Sequence, residues 1–275
     1  MKNYLEMQTT HADANPYKRL LSAWVPNTCV LELFPPELLI QTFRGKHFHF
    51  VGDSTTRQFI SGVMRLFGFL NSTAEVFPRD YDSEGTYSTR FSLNWVGAAE
   101  LKGNFDGLVS IVDNPDRFLN MTKTDADFVV MSAGTHEVAG DQSIEEYHRS
   151  LPLLFDMLLE KIPKIAEDRR RFVWRTPLPL INNPLKQFKW PNGICTHEDN
   201  AALQWLKLLS VKEAFNYGFP VLDAYRVSIA EDFDLSVVGV ISCTWEGVHY
   251  INCDSHILLS VIYIHYVMQL QLNTS

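Results

Sequence analysis

Apolar positions along the chain alternate between short continuous runs and longer segments with helical spacing. The first run, residues 46–51, ends at Gly52. Beyond it, Phe59, Val63 and Leu66 are three or four residues apart, which places them on one face of a helix. This order predicts a strand, a tight turn and a helix.

The same alternation continues toward the C-terminus. Apolar runs predict strands at 127–132, 171–176 and 220–223, and helical spacing predicts helices at 144–162, at 199–216 and from about residue 254 onward. Strands that alternate with helices indicate an α/β fold with a mainly parallel sheet covered on both faces. The segment 71–118 is rich in Tyr, Ser, Thr and Asn and departs from this alternation. We expect an irregular or antiparallel insertion there.

Length and charge narrow the choice of protein class. The chain has 275 residues, 46% of them hydrophobic, which suits the core of one α/β domain. We assign residues 1–23 to a polar N-terminal extension and residues 24–275 to a single domain. The formal charge is −8 and no block of Lys and Arg is present, so nucleic acid is not an expected partner.

Cysteines and glycosylation triplets bear on the cellular compartment. The four cysteines contain no CxxC pair, so two disulfides and four free thiols are both open: they are Cys29, Cys195, Cys243 and Cys253. Triplets for N-glycosylation begin at Asn71, Asn120 and Asn273. They favour the secretory pathway, in the Golgi lumen, or an extracellular location.

No targeting or membrane segment is visible in the chain. Residues 1–18 are polar and lack the apolar core of a signal peptide. The apolar stretch 257–272 is interrupted by His265 and Gln269 and is shorter than the roughly 20 residues that cross a bilayer. We interpret it as a buried terminal helix.

Three separate segments follow predicted strand ends. They are Ser54, the run from Gly134 to His136, and the pair Arg175 and Thr176. The carboxyl ends of parallel strands share one edge of the sheet, where ligands bind in open α/β folds. We therefore expect these segments to converge on one site.

Serine chemistry is the natural hypothesis for that site. A serine hydroxyl needs a base within hydrogen-bond reach and an acid behind the base. Glu246 lies three residues before His249, a spacing that lets the two side chains meet within one loop. Ser54 would then be the nucleophile, with its own N–H as one oxyanion donor. The alternative for Ser54 is a helix N-cap, which is the common role of serine at a helix start.

Three motifs resemble the PC-esterase branch of the GDSL/SGNH hydrolase superfamily. They are Gly-Asp-Ser-Thr-Thr-Arg-Gln at 52–58, Ser-Ala-Gly-Thr-His at 132–136 and Glu-Gly-Val-His-Tyr at 246–250. That branch includes the trichome-birefringence-like polysaccharide acetyltransferases, the sialate and capsule acetyltransferases, and related fungal proteins. The resemblance spans roughly residues 24 to 250. It implies a three-layer α/β/α sandwich of the flavodoxin-like type.

The resemblance also implies roles for single residues. Ser54 matches the nucleophile, His249 the base and Glu246 the acid, although the family usually has Asp in an Asp-Gly-x-His run. Gly134 and His136 fall where the superfamily has Gly-x-Asn-Asp, but the Asn is absent. With Asp53 and Arg57, these two residues are the candidates for oxyanion or substrate contacts. A structural salt bridge is the alternative for Arg57.

The function implied is that of a serine-dependent carbohydrate O-acetyl esterase or O-acetyltransferase. Its partner would be an acetylated glycan, with the acyl donor left open. The alternative is a catalytically silent carbohydrate-binding or scaffold protein, which Glu246 and the missing Asn would favour. No cofactor is expected. His47 and His49 share a strand face without a third ligand at a diagnostic spacing, so we interpret them as buried, hydrogen-bonded histidines.

Overall fold

The computed structural model describes the following parts of the chain: 33–70, 81–84, 86–96, 108, 112, 125–139, 143–179, 189–190, 193–194, 197–228 and 254–272. The side chains at 189–199 and 254–257 are outside this description.

The strands are β1 (His47–Gly52), β2 (Tyr81–Asp82), β3 (Arg90–Trp95), β4 (Phe128–Met131), β5 (Phe172–Arg175), β6 (Lys189–Trp190), β7 (Gly193–Ile194) and β8 (Val221–Leu222). The helices are α1 (Pro36–Thr42), α2 (Ser54–Leu66), α3 (Thr135–Ala139), α4 (Ile144–Lys161), α5 (Pro163–Glu167), α6 (His197–Asn216) and α7 (Asp254–Leu272), with a 3₁₀ turn at Arg169–Arg171.

Six strands form one sheet in the order β2-β3-β1-β4-β5-β8. All neighbours pair in parallel except β2, which runs antiparallel to β3 at the edge. After β1 the chain first adds β3 on one side and then β4 on the other, so the direction of winding reverses beside β1. The predicted mainly parallel sheet is confirmed, and β1 lies at its topological switch point.

The strand register brings several chain segments to one edge of the sheet. Gly52 is level with Trp95 of β3, and Met131 of β4 is level with Trp174 of β5. The carboxyl ends of all five parallel strands therefore lie together. We call this the carboxyl edge of the sheet.

Helices cover both faces of the sheet. Successive side chains of β1 point to opposite faces and are buried on both, so each face needs a covering layer. Phe48 and Phe50 pack toward α2 and α7, where the Phe59 and Tyr263 rings are 5.7 Å apart. Val51 packs on the other face, with the buried residues of α4 and α6. Phe48 stacks between its strand neighbours, with ring centroids 5.4 Å from Phe91 and 4.9 Å from Phe128. The three-layer arrangement is thus as expected.

The last helix explains the apolar C-terminal stretch. Buried α7 residues include Leu259, Ile264 and Val267, and Ser260 Oγ lies 3.4 Å from the carbonyl oxygen of Phe59 on α2. The prediction of a buried terminal helix is confirmed. Among the helices in the described ranges, none combines the length and the apolar character needed to cross a bilayer.

The sequence prediction for segment 71–118 was partly wrong. It contains the antiparallel strand β2, but β3 runs parallel to β1 and belongs to the main sheet. The pattern of β3 alternates between polar and apolar residues because Arg90, Ser92 and Asn94 point to one side and Phe91 and Leu93 to the other.

Ser92 of β3 is the hydrogen-bond partner of both histidines of β1. His47 Nε2 lies 2.7 Å and His49 Nδ1 2.8 Å from Ser92 Oγ, and all three residues are buried. The interpretation of His47 and His49 as buried, hydrogen-bonded side chains is confirmed.

A buried carboxylate fixes the turn that follows β4. Glu137 accepts the Gly134 N–H at 2.5 Å and the Leu108 N–H at 2.8 Å. It therefore ties the connection between β3 and β4 to the start of α3. Burial raises the pKa of Glu137, while the amide hydrogen bonds act in the opposite direction.

Replacement of Glu137 tests this tie. We expect E137A to leave two amide N–H groups without their acceptor, at about 1–3 kcal/mol for each one that stays dry. E137Q retains one acceptor oxygen and turns an NH₂ toward the second amide, so it is expected to lose less. Urea unfolding of both variants measures the free energy of unfolding. Equal stability of E137A and the wild type would contradict this role.

Candidate active site

Ser54 is the first residue of α2, directly after β1 and Asp53. The N-cap of α2 is Asp53, whose Oδ1 accepts the N–H of Thr55 at 2.8 Å and that of Thr56 at 3.3 Å. The alternative role of Ser54 as the N-cap is therefore wrong, because the preceding aspartate caps the helix.

Gly52 makes this turn possible through its lack of a side chain. A Cβ atom at position 52 would lie 2.2 Å from Thr56 Oγ1 and 3.1 Å from the carbonyl oxygen of Ser132. Such distances are far shorter than van der Waals contact, so no larger residue fits without displacement of α2 or β4. The strand and the helix can meet this closely only with glycine between them.

The Asp53 carboxylate is buried beneath the start of α2, with the residue only 4% exposed. Besides the two backbone amides, it accepts the Thr55 hydroxyl at 2.6 Å. Burial disfavours the charged form, but His136, the Thr55 hydrogen bonds and Arg175 together hold the pKa of Asp53 below its usual value. Asp53 is thus an ionised anchor of the turn. We assign it to positioning and not to the oxyanion, which a carboxylate would repel.

Arg175 ends β5 and joins the converging segments. Its Nη1 lies 3.3 Å from Thr55 Oγ1 and 3.4 Å from Ser132 Oγ, and its guanidinium carbon is 5.4 Å from the Phe59 ring centroid. The predicted convergence of segments at the carboxyl edge is confirmed by these contacts. Burial lowers the pKa of Arg175 to about 10, against the raising effect of Asp53.

A second group of side chains lies at the same edge of the sheet. The Arg57 guanidinium carbon is 5.4 Å from the centroid of the Trp95 ring, and the His136 ring meets that ring edge-on at 6.1 Å. Arg57 and His136 were expected near the site from the sequence, whereas Trp95 was missed. No local pattern in the sequence marked Trp95, because β3 itself was not predicted; the strand register places it level with Gly52.

Gly134 has a steric role. Its φ of 134° is one that residues with side chains rarely adopt, and a Cβ would lie 3.0 Å from Pro177 Cγ. The Gly134 N–H already donates to Glu137. We therefore do not assign this N–H as an oxyanion donor, which revises the expectation from the sequence.

Several residues of interest lie outside the described part of the chain. They are the candidate base and acid, His249 and Glu246, the four cysteines, and the three asparagines of the glycosylation triplets. The assignment of residues 1–23 and 24–275 stays a prediction. Within the described ranges, no three His, Cys, Asp or Glu residues are grouped in a way that could hold a metal ion.

Comparison with known proteins gives one match in sequence. Over 121 residues the chain is 26% identical to xyloglucan O-acetyltransferase 1 of Arabidopsis thaliana. The match covers 40% of this chain and 29% of that protein's length. No protein-family profile matches the chain.

Solved structures give matches in fold. A variant of an acetyl xylan esterase from Geobacillus stearothermophilus superposes with a TM-score of 0.52 at 13% identity, over 82% of this chain and 94% of the esterase. An α/β hydrolase from the metagenome of Lake Arreo, Spain, gives a TM-score of 0.50 at 14% identity, over 82% and 96% of the two chains. The chain therefore has the α/β fold of these hydrolases and is similar in sequence to part of a xyloglucan O-acetyltransferase.

Proposed function

We propose that the protein is a serine-dependent carbohydrate O-acetyl esterase or O-acetyltransferase of the SGNH type. Ser54 forms the acyl-enzyme, His249 is the general base and Glu246 orients His249. The position of Ser54 carries this proposal. It begins a helix at the carboxyl end of the central strand, beside the switch point of the sheet, where open α/β folds bind their ligands.

The start of α2 also suits the charge that develops during acyl transfer. The N-terminus of a helix carries partial positive charge, which favours an anion beside its first N–H groups. We assign the Ser54 N–H, the first N–H group of α2, as an oxyanion donor. Arg57, one turn further along α2, is a second candidate for contact with the acyl oxygen or the glycan.

The reaction is a double displacement. Ser54 Oγ attacks the acetyl carbonyl carbon while His249 takes the hydroxyl proton. The tetrahedral oxyanion then collapses, the bond to the leaving oxygen breaks, and His249 returns the proton to that oxygen. In the second half, water or a sugar hydroxyl attacks acetyl-Ser54, and Ser54 regains its proton through His249. Water gives an esterase, and a sugar hydroxyl gives a transferase.

The chain connections are compatible with His249 as the base. Position 249 lies between β8, which ends at the carboxyl edge, and α7, which starts at Asp254. Tyr263 of α7 packs against Phe59 of α2, so α7 lies against the helix that begins with Ser54. Asp254, the start of α7, is five positions after His249, and an extended chain of that length spans at most about 18 Å.

The substrate class we propose is an acetylated glycan. The relative in sequence is named for xyloglucan O-acetylation, and the relatives in fold include an acetyl xylan esterase. We place the protein in the secretory pathway or outside the cell, as the three glycosylation triplets suggest.

Ser54→Ala tests the nucleophile. We expect it to lower the hydrolysis of p-nitrophenyl acetate and of acetylated xyloglucan oligosaccharides by more than about 10⁴-fold, in the range of nucleophile loss in serine hydrolases. A fluorophosphonate probe should label wild-type Ser54, as peptide mapping would report. The matched control is Ser61→Ala, because Ser61 is a buried serine of the same helix that binds the Arg57 carbonyl oxygen.

Retained turnover in folded S54A would overturn the assignment of Ser54. Glycan binding without turnover in the wild type would instead favour the silent carbohydrate-binding protein.

Glu246 is tested by a pair of substitutions. We expect E246Q to lower kcat by about 10⁴-fold, as loss of the orienting carboxylate does in a serine triad. E246D should retain or raise activity, because aspartate is the usual family residue. E160Q, on the exposed end of α4, is the control for a changed surface charge. An unchanged kcat in E246Q would show that the acid lies elsewhere.

His136 is tested as a substrate contact. We expect H136Q to raise KM for an acetylated oligosaccharide by about 3–10-fold, the range for loss of one hydrogen bond, with a smaller change in kcat. H148Q, at an exposed position of α4, is the control. An unchanged KM with a reduced rate of Ser54 labelling would assign His136 to the support of Ser54 and not to the substrate.

A further inference from the structure

We propose that Arg175 is a positioning residue for the reaction, and that it acts through Asp53. Its buried guanidinium, bound to the Thr55 hydroxyl, holds the Asp53 carboxylate and with it the start of α2. The inference rests on the proposed function for its catalytic consequence, but the link between Arg175 and Asp53 can be tested without activity.

The contacts of Arg175 form a short chain that ends at the nucleophile. Arg175 Nη1 is 3.3 Å from Thr55 Oγ1, which in turn donates to Asp53 Oδ1 at 2.6 Å. Asp53 precedes Ser54 and caps the helix that Ser54 begins. A shift of the carboxylate would therefore be transmitted to the Ser54 hydroxyl and N–H through one peptide unit.

Burial makes the charge of Arg175 matter. An ionised carboxylate taken out of water is costly unless a cation or hydrogen bonds compensate it. Basic groups act on the pKa of Asp53 from two elements: His136 from α3, which has the larger effect, and Arg175 from β5. Arg175 is fully buried, whereas His136 is partly exposed. The Arg175 charge is thus the one that water screens least.

The hydrogen bonds of Arg175 do not compensate for the free-energy cost of burying its charge. Nε and Nη2 are buried and have no hydrogen-bond partner among the residues that the structure describes. A guanidinium in this state is itself destabilising, with a lowered pKa, and Asp53 is the nearby anion that favours its charged form. The two charges therefore depend on each other. Because Arg175 is 0% exposed, it is not a substrate contact.

A double-mutant cycle tests this dependence. The variants are R175M, which replaces the guanidinium by a shorter, unbranched and uncharged side chain, D53N, and the double variant D53N/R175M. We expect R175M to lower the midpoint of urea unfolding in the wild-type background. In the D53N background the same change should leave the midpoint unchanged or raise it, because Arg175 then has no anion to face.

The pH dependence of stability gives a second measurement. Because the pKa of Asp53 is lowered in the folded protein, its ionised carboxylate stabilises the fold at pH values above the usual pKa of an aspartate. This stabilisation is lost as the pH falls through the lowered pKa. In R175M the Asp53 pKa should rise toward its value in the unfolded chain, so the variant should lose less stability than the wild type as the pH is lowered. R175K, which retains a cation, should restore most of the wild-type profile.

Activity forms the third measurement. We expect R175M to lower the rate of Ser54 labelling by the fluorophosphonate probe by about 10²-fold, the scale of a misplacement of about 1 Å. KM should change little, since Arg175 does not touch substrate. In the D53N background, R175M should have less than about a threefold further effect. R175K should recover most of the labelling rate.

Additive losses from R175M and D53N, in the urea midpoint and in the labelling rate, would overturn the proposal. Failure of both R175M and D53N/R175M to fold would also overturn it. Arg175 would then be required for folding even when the Asp53 charge is absent. Folding of the double variant alone would support it. If S54A leaves turnover and labelling unchanged, the proposed function fails, and the stability cycle still decides whether Arg175 holds Asp53.

Discussion

The burial of an ionised aspartate at the end of the central strand sets the conditions for the rest of this site. Asp53 is almost inaccessible to water and still has a lowered pKa. Five groups make this possible: His136, the Thr55 amide and hydroxyl, the Thr56 amide, and the guanidinium of Arg175. They come from separate features of the fold. The amides exist because a helix starts here, and Arg175 is present because β5 ends at the same edge.

The sheet brings these groups together by its order of strands. With β1 at the switch point, β3 and β4 flank it on either side, and β5 follows β4. Trp95, Ser132 and Arg175 thus reach the same edge from three strands or strand ends. Two close approaches fix the backbone there. Gly52 admits Thr56 at a distance that excludes a Cβ atom, and Gly134 admits Pro177 at a distance where a Cβ atom would be tightly packed.

The sequence predicted those parts of the fold whose pattern reflects a single environment. Strands β1, β4 and β5 are buried along their whole length, so their near-continuous apolar or aromatic runs identify them. The strand β3 was missed because one of its faces meets polar groups, namely the two histidines that bind Ser92. A hydrophobic pattern does not identify a buried polar residue of a sheet, because its burial depends on a hydrogen-bond partner elsewhere in the chain.

The candidate site was predictable to a similar extent. Ser54 follows from a strand, a turn and a motif that are local in sequence. The capping role of Asp53, the tie from Glu137 to Leu108 and the place of Trp95 depend on contacts between segments that are far apart in the chain. The hydrogen bond from the Gly134 N–H to Glu137 could not be predicted from the sequence either. Gly134 was therefore expected to contribute to oxyanion binding.

The division between buried and partly exposed residues around Ser54 has a consequence for protein engineering. Asp53, Arg175 and Glu137 are packed inside the molecule, whereas Arg57, Trp95 and His136 are each only partly covered. Substitutions in the partly covered group change the surface that a ligand would meet, whereas substitutions in the buried group disturb the turn before Ser54. For the function we propose, a search for altered glycan preference should randomise Arg57 and Trp95, and leave constant the buried group and His136, which acts on the Asp53 charge.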